Sequence, residues 1–91
     1  MAMRIVVAGR VQGVGYRYAF ANHATELGLA GWVRNRRDGT VEACVQGAAP
    51  AIDQIVAWAR KGPSAARVDD VQVTQVDAAL PGNGFRIAPT A

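Results

Sequence analysis

The sequence predicts an α+β fold in which two helices cover one face of an antiparallel sheet. Three observations carry that reading. β-Branched runs recur in short segments, two stretches space their apolar residues as helices do, and an Asp-Gly turn joins two strand-like segments. The chain has 91 residues, 51% hydrophobic and 19% charged, which suits one small globular domain spanning residues 1–91. It is too short for two cores and too apolar for a disordered segment.

The first strand is expected from Arg4 to Arg10, around the run Ile5-Val6-Val7. Its one short apolar run, closed by an arginine, reads as a strand and not as a secretory signal. A glycine-rich turn, Gln12-Gly13-Val14-Gly15, leads into a helix from Arg17 to Leu27, where Phe20, Ala24 and Leu27 make one apolar face. Gly28 supplies the stop. Strands follow over Ala30 to Arg36 and Thr40 to Gln46, joined at Arg37-Asp38-Gly39. In the second of them Val41, Ala43 and Val45 alternate with Glu42, Cys44 and Gln46, so one face is expected in the core and the other in water. Pro50 opens a second helix that runs to Arg60, with Ile52, Ile55, Val56 and Ala59 as its apolar stripe and Gly62-Pro63 after it. Val68 to Asp77 reads as a strand, Pro81-Gly82-Asn83-Gly84 as a turn, and Phe85-Arg86-Ile87 as a short last strand. The order β-α-β-β-α-β is the ferredoxin-like sandwich. That fold hosts many functions and selects none.

Composition narrows the classes. No stretch approaches the roughly 18 apolar residues of a membrane span, so no membrane partner is expected. The single cysteine, Cys44, excludes an internal disulfide and a thiolate metal site, and the single histidine, His23, argues against zinc. Neither a metal nor another cofactor is expected, and the cytoplasm is the expected compartment. Ten basic against seven acidic residues give +3. This modest excess suits a small anionic substrate better than nucleic acid. Strand one offers Ile5, Val6 and Val7, and strand three Val41, Ala43 and Val45, with no aromatic on which a base would stack, so no nucleic-acid partner is expected. No long apolar face is evident, which points to a monomer.

Two segments carry chemistry. In Gly9-Arg10-Val11-Gln12-Gly13-Val14-Gly15-Tyr16-Arg17 the glycines let successive N–H groups turn towards one point, and the loop feeds a helix N-terminus that favours an anion. A cation at Arg17, in the first helical turn, is unfavourable for the dipole unless an anion sits between it and those N–H groups. Its planar fork matches phosphate. The same residues also suit a tight turn with a solvated arginine. Tyr18 stands where a dinucleotide fingerprint needs its third glycine, and no Gly-Lys-Ser/Thr is present, so two familiar phosphate loops are excluded. The second segment is Gly31-Trp32-Val33-Arg34-Asn35-Arg36-Arg37-Asp38-Gly39-Thr40-Val41-Glu42. Asn35, at a strand end, can donate and accept at once and so orient a water, or it can simply cap the strand. Arg34, Arg36 and Arg37 can raise the local anion concentration or form a solvated face.

Together, at this spacing, the two segments resemble the acylphosphatase family along nearly the whole chain. Trp58, Gly62-Pro63, Ala66 to Val68 and Phe85-Arg86-Ile87 also fit its pattern. The resemblance implies a small ferredoxin-like enzyme that hydrolyses the carboxyl–phosphate bond of acyl phosphates without a metal. It implies that Arg17 binds the substrate, that Asn35 positions the attacking water, and that Gln12, Gly13, Val14, Gly15 and Tyr16 cradle the phosphate through backbone N–H groups. It also implies that the substrate phosphate itself takes the water's proton. Some members end in a basic or aromatic residue near the site, whereas this sequence reads Ala88-Pro89-Thr90-Ala91. The alternative is a non-catalytic anion-binding or carbamoyl-phosphate-related module of the same fold, although anion binding alone needs Arg17 and not Asn35. His23 lies six residues after Arg17, roughly 120° away around the helix, and reads as structural or exposed. Cys44 reads as incidental, and Trp32 and Trp58 as packing residues.

Overall fold

The computed structural model describes residues 1–77 and 84–91. Its elements are β1 (Ala2–Arg10), α1 (Tyr16–Glu26), β2 (Ala30–Asn35), β3 (Val41–Gln46), α2 (Ala49–Lys61), β4 (Arg67–Val76) and β5 (Phe85–Ile87). The expected strands and helices are all present, with ends that differ by a residue or two. Of the turn expected over Pro81 to Gly84, residues 81–83 lie outside the described residues. The Gly84 carbonyl accepts a hydrogen bond from the Gly31 N–H at 3.0 Å.

The strands form one sheet in the order β4-β1-β3-β2-β5. β1 is antiparallel to β3 and β4, and β2 is antiparallel to β3. β5 adds a parallel edge along β2, with Gly31 opposite Phe85 and Val33 opposite Ile87. The first four strands with their two helices are the ferredoxin-like sandwich; the parallel strand makes the sheet mixed.

Period-two alternation sends Ile5, Val7, Val33, Val41, Ala43 and Val45 to the helix side, where all six are buried. Tyr16, Phe20 and Ala24 of α1 and Ile52, Ile55 and Ala59 of α2 meet them, spaced as one helical face demands. Trp58 joins the helices: its ring centroid lies 5.3 Å from Tyr16, 5.8 Å from Phe20 and 4.8 Å from His23. α1 ends in a Schellman arrangement. The Gly28 N–H bonds the Thr25 carbonyl, the Leu29 N–H bonds the Ala24 carbonyl, and Gly28 takes the required positive φ of 72°.

One expectation fails on β3. Glu42 and Cys44 do not face water; they are only 5% and 7% exposed. β3 is the central strand, and arginines from both neighbours fold over its helix-free side. Arg4 Nε reaches Glu42 Oε2 at 2.6 Å, and Arg34 Nη2 reaches Oε1 at 2.7 Å. Alternation in the sequence separates the two faces correctly, but it does not report cover supplied by side chains from adjacent strands.

This Arg–Glu–Arg triad has a pH consequence. Burial alone would raise the Glu42 carboxyl, but hydrogen bonds from Arg34 and Arg4 outweigh it and hold the group below its ordinary 4.5. The unfolded chain therefore takes the proton first as pH falls. The contribution is complete above the unfolded value and is lost as pH drops through the folded one. Urea midpoints measured from about pH 5 to about pH 3 should fall for the wild type and fall less steeply for Glu42→Gln, which has no charge to lose.

Candidate active site

β1 hands over to α1 through residues 11–15, anchored by buried Val11. Gly13 and Gly15 take φ of 75° and 79°. Gly15 is the N-cap of α1, in the left-handed region, and no side chain caps the helix. The first helical bond runs from the Ala19 N–H to the Gly15 carbonyl at 3.1 Å. The N–H groups of Tyr16, Arg17 and Tyr18 therefore have no acceptor within the helix. The first turn holds no acidic residue. It is a helix start with free donors, a positive dipole end and a cation at Arg17, which is the chemistry of an anion site. Arg4, Arg34, Arg36 and Arg67 each pair with a carboxylate. Among the described residues no carboxylate pairs with Arg17.

Asn35 ends β2 and shares the helix side of the sheet with Val33, two residues earlier. α1 packs against this strand. Asn35 Oδ1 is buried and has no hydrogen-bond partner among the described residues. Buried polar atoms are nearly always paired, and an exception at the rim of a site points to a ligand or a water as the missing partner. The backbone around Asn35 is firmly held. Its carbonyl accepts from the Ala91 N–H at 3.0 Å, and the Arg37 N–H donates to the Ala91 carbonyl at 2.8 Å. The Ala88 N–H donates to the Val33 carbonyl. Residues 88–91 thus prolong the pairing of β5 along β2 up to the site. The hairpin turn is locked by Asp38, whose Oδ1 accepts from the Thr40 hydroxyl at 2.6 Å and the Thr40 N–H at 3.0 Å. Those bonds hold the Asp38 carboxyl below its usual value.

The loop of residues 11–15 and the Asn35 hairpin are joined by a side chain. Gln12 Nε2 donates to the Arg36 carbonyl at 2.7 Å and to the Thr40 carbonyl at 2.9 Å. Sequence reasoning assigned Gln12 only a backbone role. The partners lie 24 and 28 residues away, beyond any local pattern. Gln12→Ala should lower stability by about 1–3 kcal/mol, as expected for the loss of two neutral hydrogen bonds; the Arg36 and Thr40 carbonyls each keep a backbone donor, from Gly39 and Arg36. It should also reduce turnover by letting the loop drift from Asn35. Urea unfolding and steady-state kinetics on the same preparation check both effects.

The remaining residues sort themselves by position. The Tyr16 side chain belongs to the core: its hydroxyl donates to the Ala59 carbonyl at 2.7 Å, and burial pushes the phenol well above its usual value. Only its backbone N–H faces the helix start. Burial, with Glu42 beside it, pushes the Cys44 thiol up, the opposite of what a nucleophile needs. Trp58 packs between the helices. Trp32 instead lies half-buried under the Arg34 guanidinium, 4.6 Å from the ring centroid, on the side of the sheet that carries Glu42 and no helix. Its expected role in packing is met by an arginine and not by the core. Among the described residues no group of three His, Cys, Asp or Glu residues could hold a metal ion, and no helix is long and apolar enough to cross a membrane.

Fold and site together define a ferredoxin-like domain with free N–H donors and an arginine at a helix start and, on the adjoining strand, a buried Asn35 Oδ1 without a partner among the described residues. The acylphosphatase family model matches residues 3–87, and the chain belongs to the acylphosphatase family. It is 52% identical to an acylphosphatase of Nitrobacter hamburgensis, over 96% of this chain and 93% of that one. The solved acylphosphatase of Bacillus subtilis superposes with a TM-score of 0.91 at 39% identity, over 96% of this chain and 97% of that one. That of Coxiella burnetii gives 0.90 at 32% identity, over 96% and 90%.

Proposed function

We propose that Arg17, the backbone N–H groups from Gln12 to Tyr16, and Asn35 carry out the hydrolysis of acyl phosphates that membership of the family brings to this chain. The phosphoryl group sits at the start of α1, between the loop donors and the Arg17 fork. These are fixed donors and need no reorganisation as charge develops. Asn35 Oδ1 accepts one hydrogen bond from the attacking water and aims its lone pair at phosphorus. The water oxygen bonds to phosphorus, the bond from phosphorus to the acyl oxygen breaks, and its electron pair leaves on the carboxylate. The water's proton passes to a phosphoryl oxygen of the substrate. A carboxylate leaves readily, so no protein acid is required.

The observation that carries the reading is the buried Asn35 Oδ1, which has no partner among the described residues; Arg17, at the start of the neighbouring helix, meets no carboxylate among them either. The reading extends to residues 1–91 acting as one domain, without a metal, as a monomer in the cytoplasm. Carboxylates near phosphorus would oppose the reaction, and none meets Arg17 among the described residues.

The test is hydrolysis of benzoyl phosphate with a chelator present. Phosphate release is expected at a rate that stays flat through neutral pH, because neither a guanidinium nor a carboxamide titrates there. A bell centred near pH 6.5, about the ordinary histidine value, would bring His23 into the mechanism instead. A folded but inert protein would leave the cradle as an anion-binding module.

A further inference from the structure

Tyr18 is 66% exposed, one of two large hydrophobic residues left exposed among the described residues, the other being Met1 at the chain start. It stands in the first turn of α1, next to Arg17, whose guanidinium carbon lies 6.0 Å from the centre of the Tyr18 ring. Two residues turn a helix by roughly 200°. With Tyr16 in the core, Tyr18 therefore looks outward. Side chains on a helix also tilt towards its N-terminus, so Tyr18 leans to the end where the cradle lies. The Arg17 contact gives the ring a cationic neighbour that restrains it. An exposed aromatic beside an anion site, held by the cation of that site, serves no packing purpose.

Reaction geometry says what it faces. In-line displacement puts the leaving group opposite the attacking water. The water is held on the Asn35 side, where Oδ1 is buried. The acyl group therefore leaves the cradle on the solvent side, past the start of α1. We infer that Tyr18 is the acyl-group contact of this site, the residue through which a flat, apolar acyl group is distinguished from acetyl. A ring can lie against the tyrosine face or edge, whereas an acetyl group ends before it arrives. This inference rests on the assignment of Arg17 and Asn35 made above.

The experiment measures kcat/KM for benzoyl phosphate and acetyl phosphate, and inhibition by inorganic phosphate, for wild type, Tyr18→Phe and Tyr18→Ala. Tyr18→Ala should lower the benzoyl phosphate value roughly three- to tenfold, the worth of one aromatic contact, and the acetyl phosphate value by less than about twofold. Inhibition by phosphate should not change, and Tyr18→Phe should keep the wild-type preference. If the wild type turns over and Tyr18→Ala leaves the ratio between the two substrates unchanged, Tyr18 does not contact the acyl group. A folded wild type that hydrolyses neither substrate overturns the reaction itself, and this inference with it.

Discussion

Arg17→Gln should lower kcat/KM for benzoyl phosphate by about two to three orders of magnitude, the usual cost of removing one fixed donor from a developing anion. Inhibition by inorganic phosphate should weaken in parallel, because the same fork holds substrate and product. Arg17→Lys should recover only part of the loss: it restores the charge but not the planar pair of donors. Stability is the discriminating control. Arg17 pairs with no carboxylate among the described residues, so its removal strands no buried acid. It also relieves a cation at a helix N-terminus, worth about 0.3–1 kcal/mol. Arg17→Gln should therefore unfold in urea at the wild-type midpoint or above it. Undiminished turnover would show that phosphate is held elsewhere. A variant that loses activity and fold together would make Arg17 a structural residue.

Much of the fold is written locally. The Ile5-Val6-Val7 run, the spacing of Phe20 and Ala24, and Asp38-Gly39 each specify their own element, and the structure keeps all of them. Gly28 signals the end of α1 because only a residue at ease with positive φ closes that motif. Pairing is another matter. That Phe85–Ile87 lies parallel to β2 follows from how the sheet is ordered, and nothing in those three residues states it. The cover over Glu42 was equally hidden. Arg4 and Arg34 lie 38 and 8 residues away and come together only after three strands are paired.

The proposed site divides in the same way. Glycines followed by an arginine at a helix start suggest an anion cradle in one dimension, since every part lies within a few residues. Asn35 was legible as a strand-end amide, but its decisive property was not. Its Oδ1 is buried without a partner among the described residues, a property of the packed sheet and helices that no stretch of sequence states. The Gln12 bridge escaped for the same reason. The residues proposed to contact a ligand can be picked out by local chemistry; a residue that holds two segments together needs the fold.

Asn35→Ala should separate catalysis from stability in the opposite sense to an ordinary core truncation. Turnover of benzoyl phosphate should fall about 100- to 1000-fold, as when one positioned polar group is lost from the reacting centre. Inhibition by phosphate should hardly change, because the cradle and Arg17 remain. A loss in kcat with binding retained is the mark of an interaction made in the transition state alone. Truncating a polar side chain usually also costs stability through the partners it leaves behind. Here Oδ1 has no partner to strand among the described residues. Keeping such an atom buried costs about 1–3 kcal/mol, a penalty the alanine variant no longer carries. The urea midpoint of Asn35→Ala should accordingly equal or exceed that of the wild type. Asn35→Asp gives the complementary result: its carboxylate can still accept from water but repels the phosphate, so KM should rise along with the fall in kcat. If Asn35→Ala instead loses stability and activity in step, the amide caps the strand and the water is held by something else. A stable, phosphate-binding and nearly inert Asn35→Ala protein would mean that the chain accepts a cost in folding to keep one acceptor free for the attacking water.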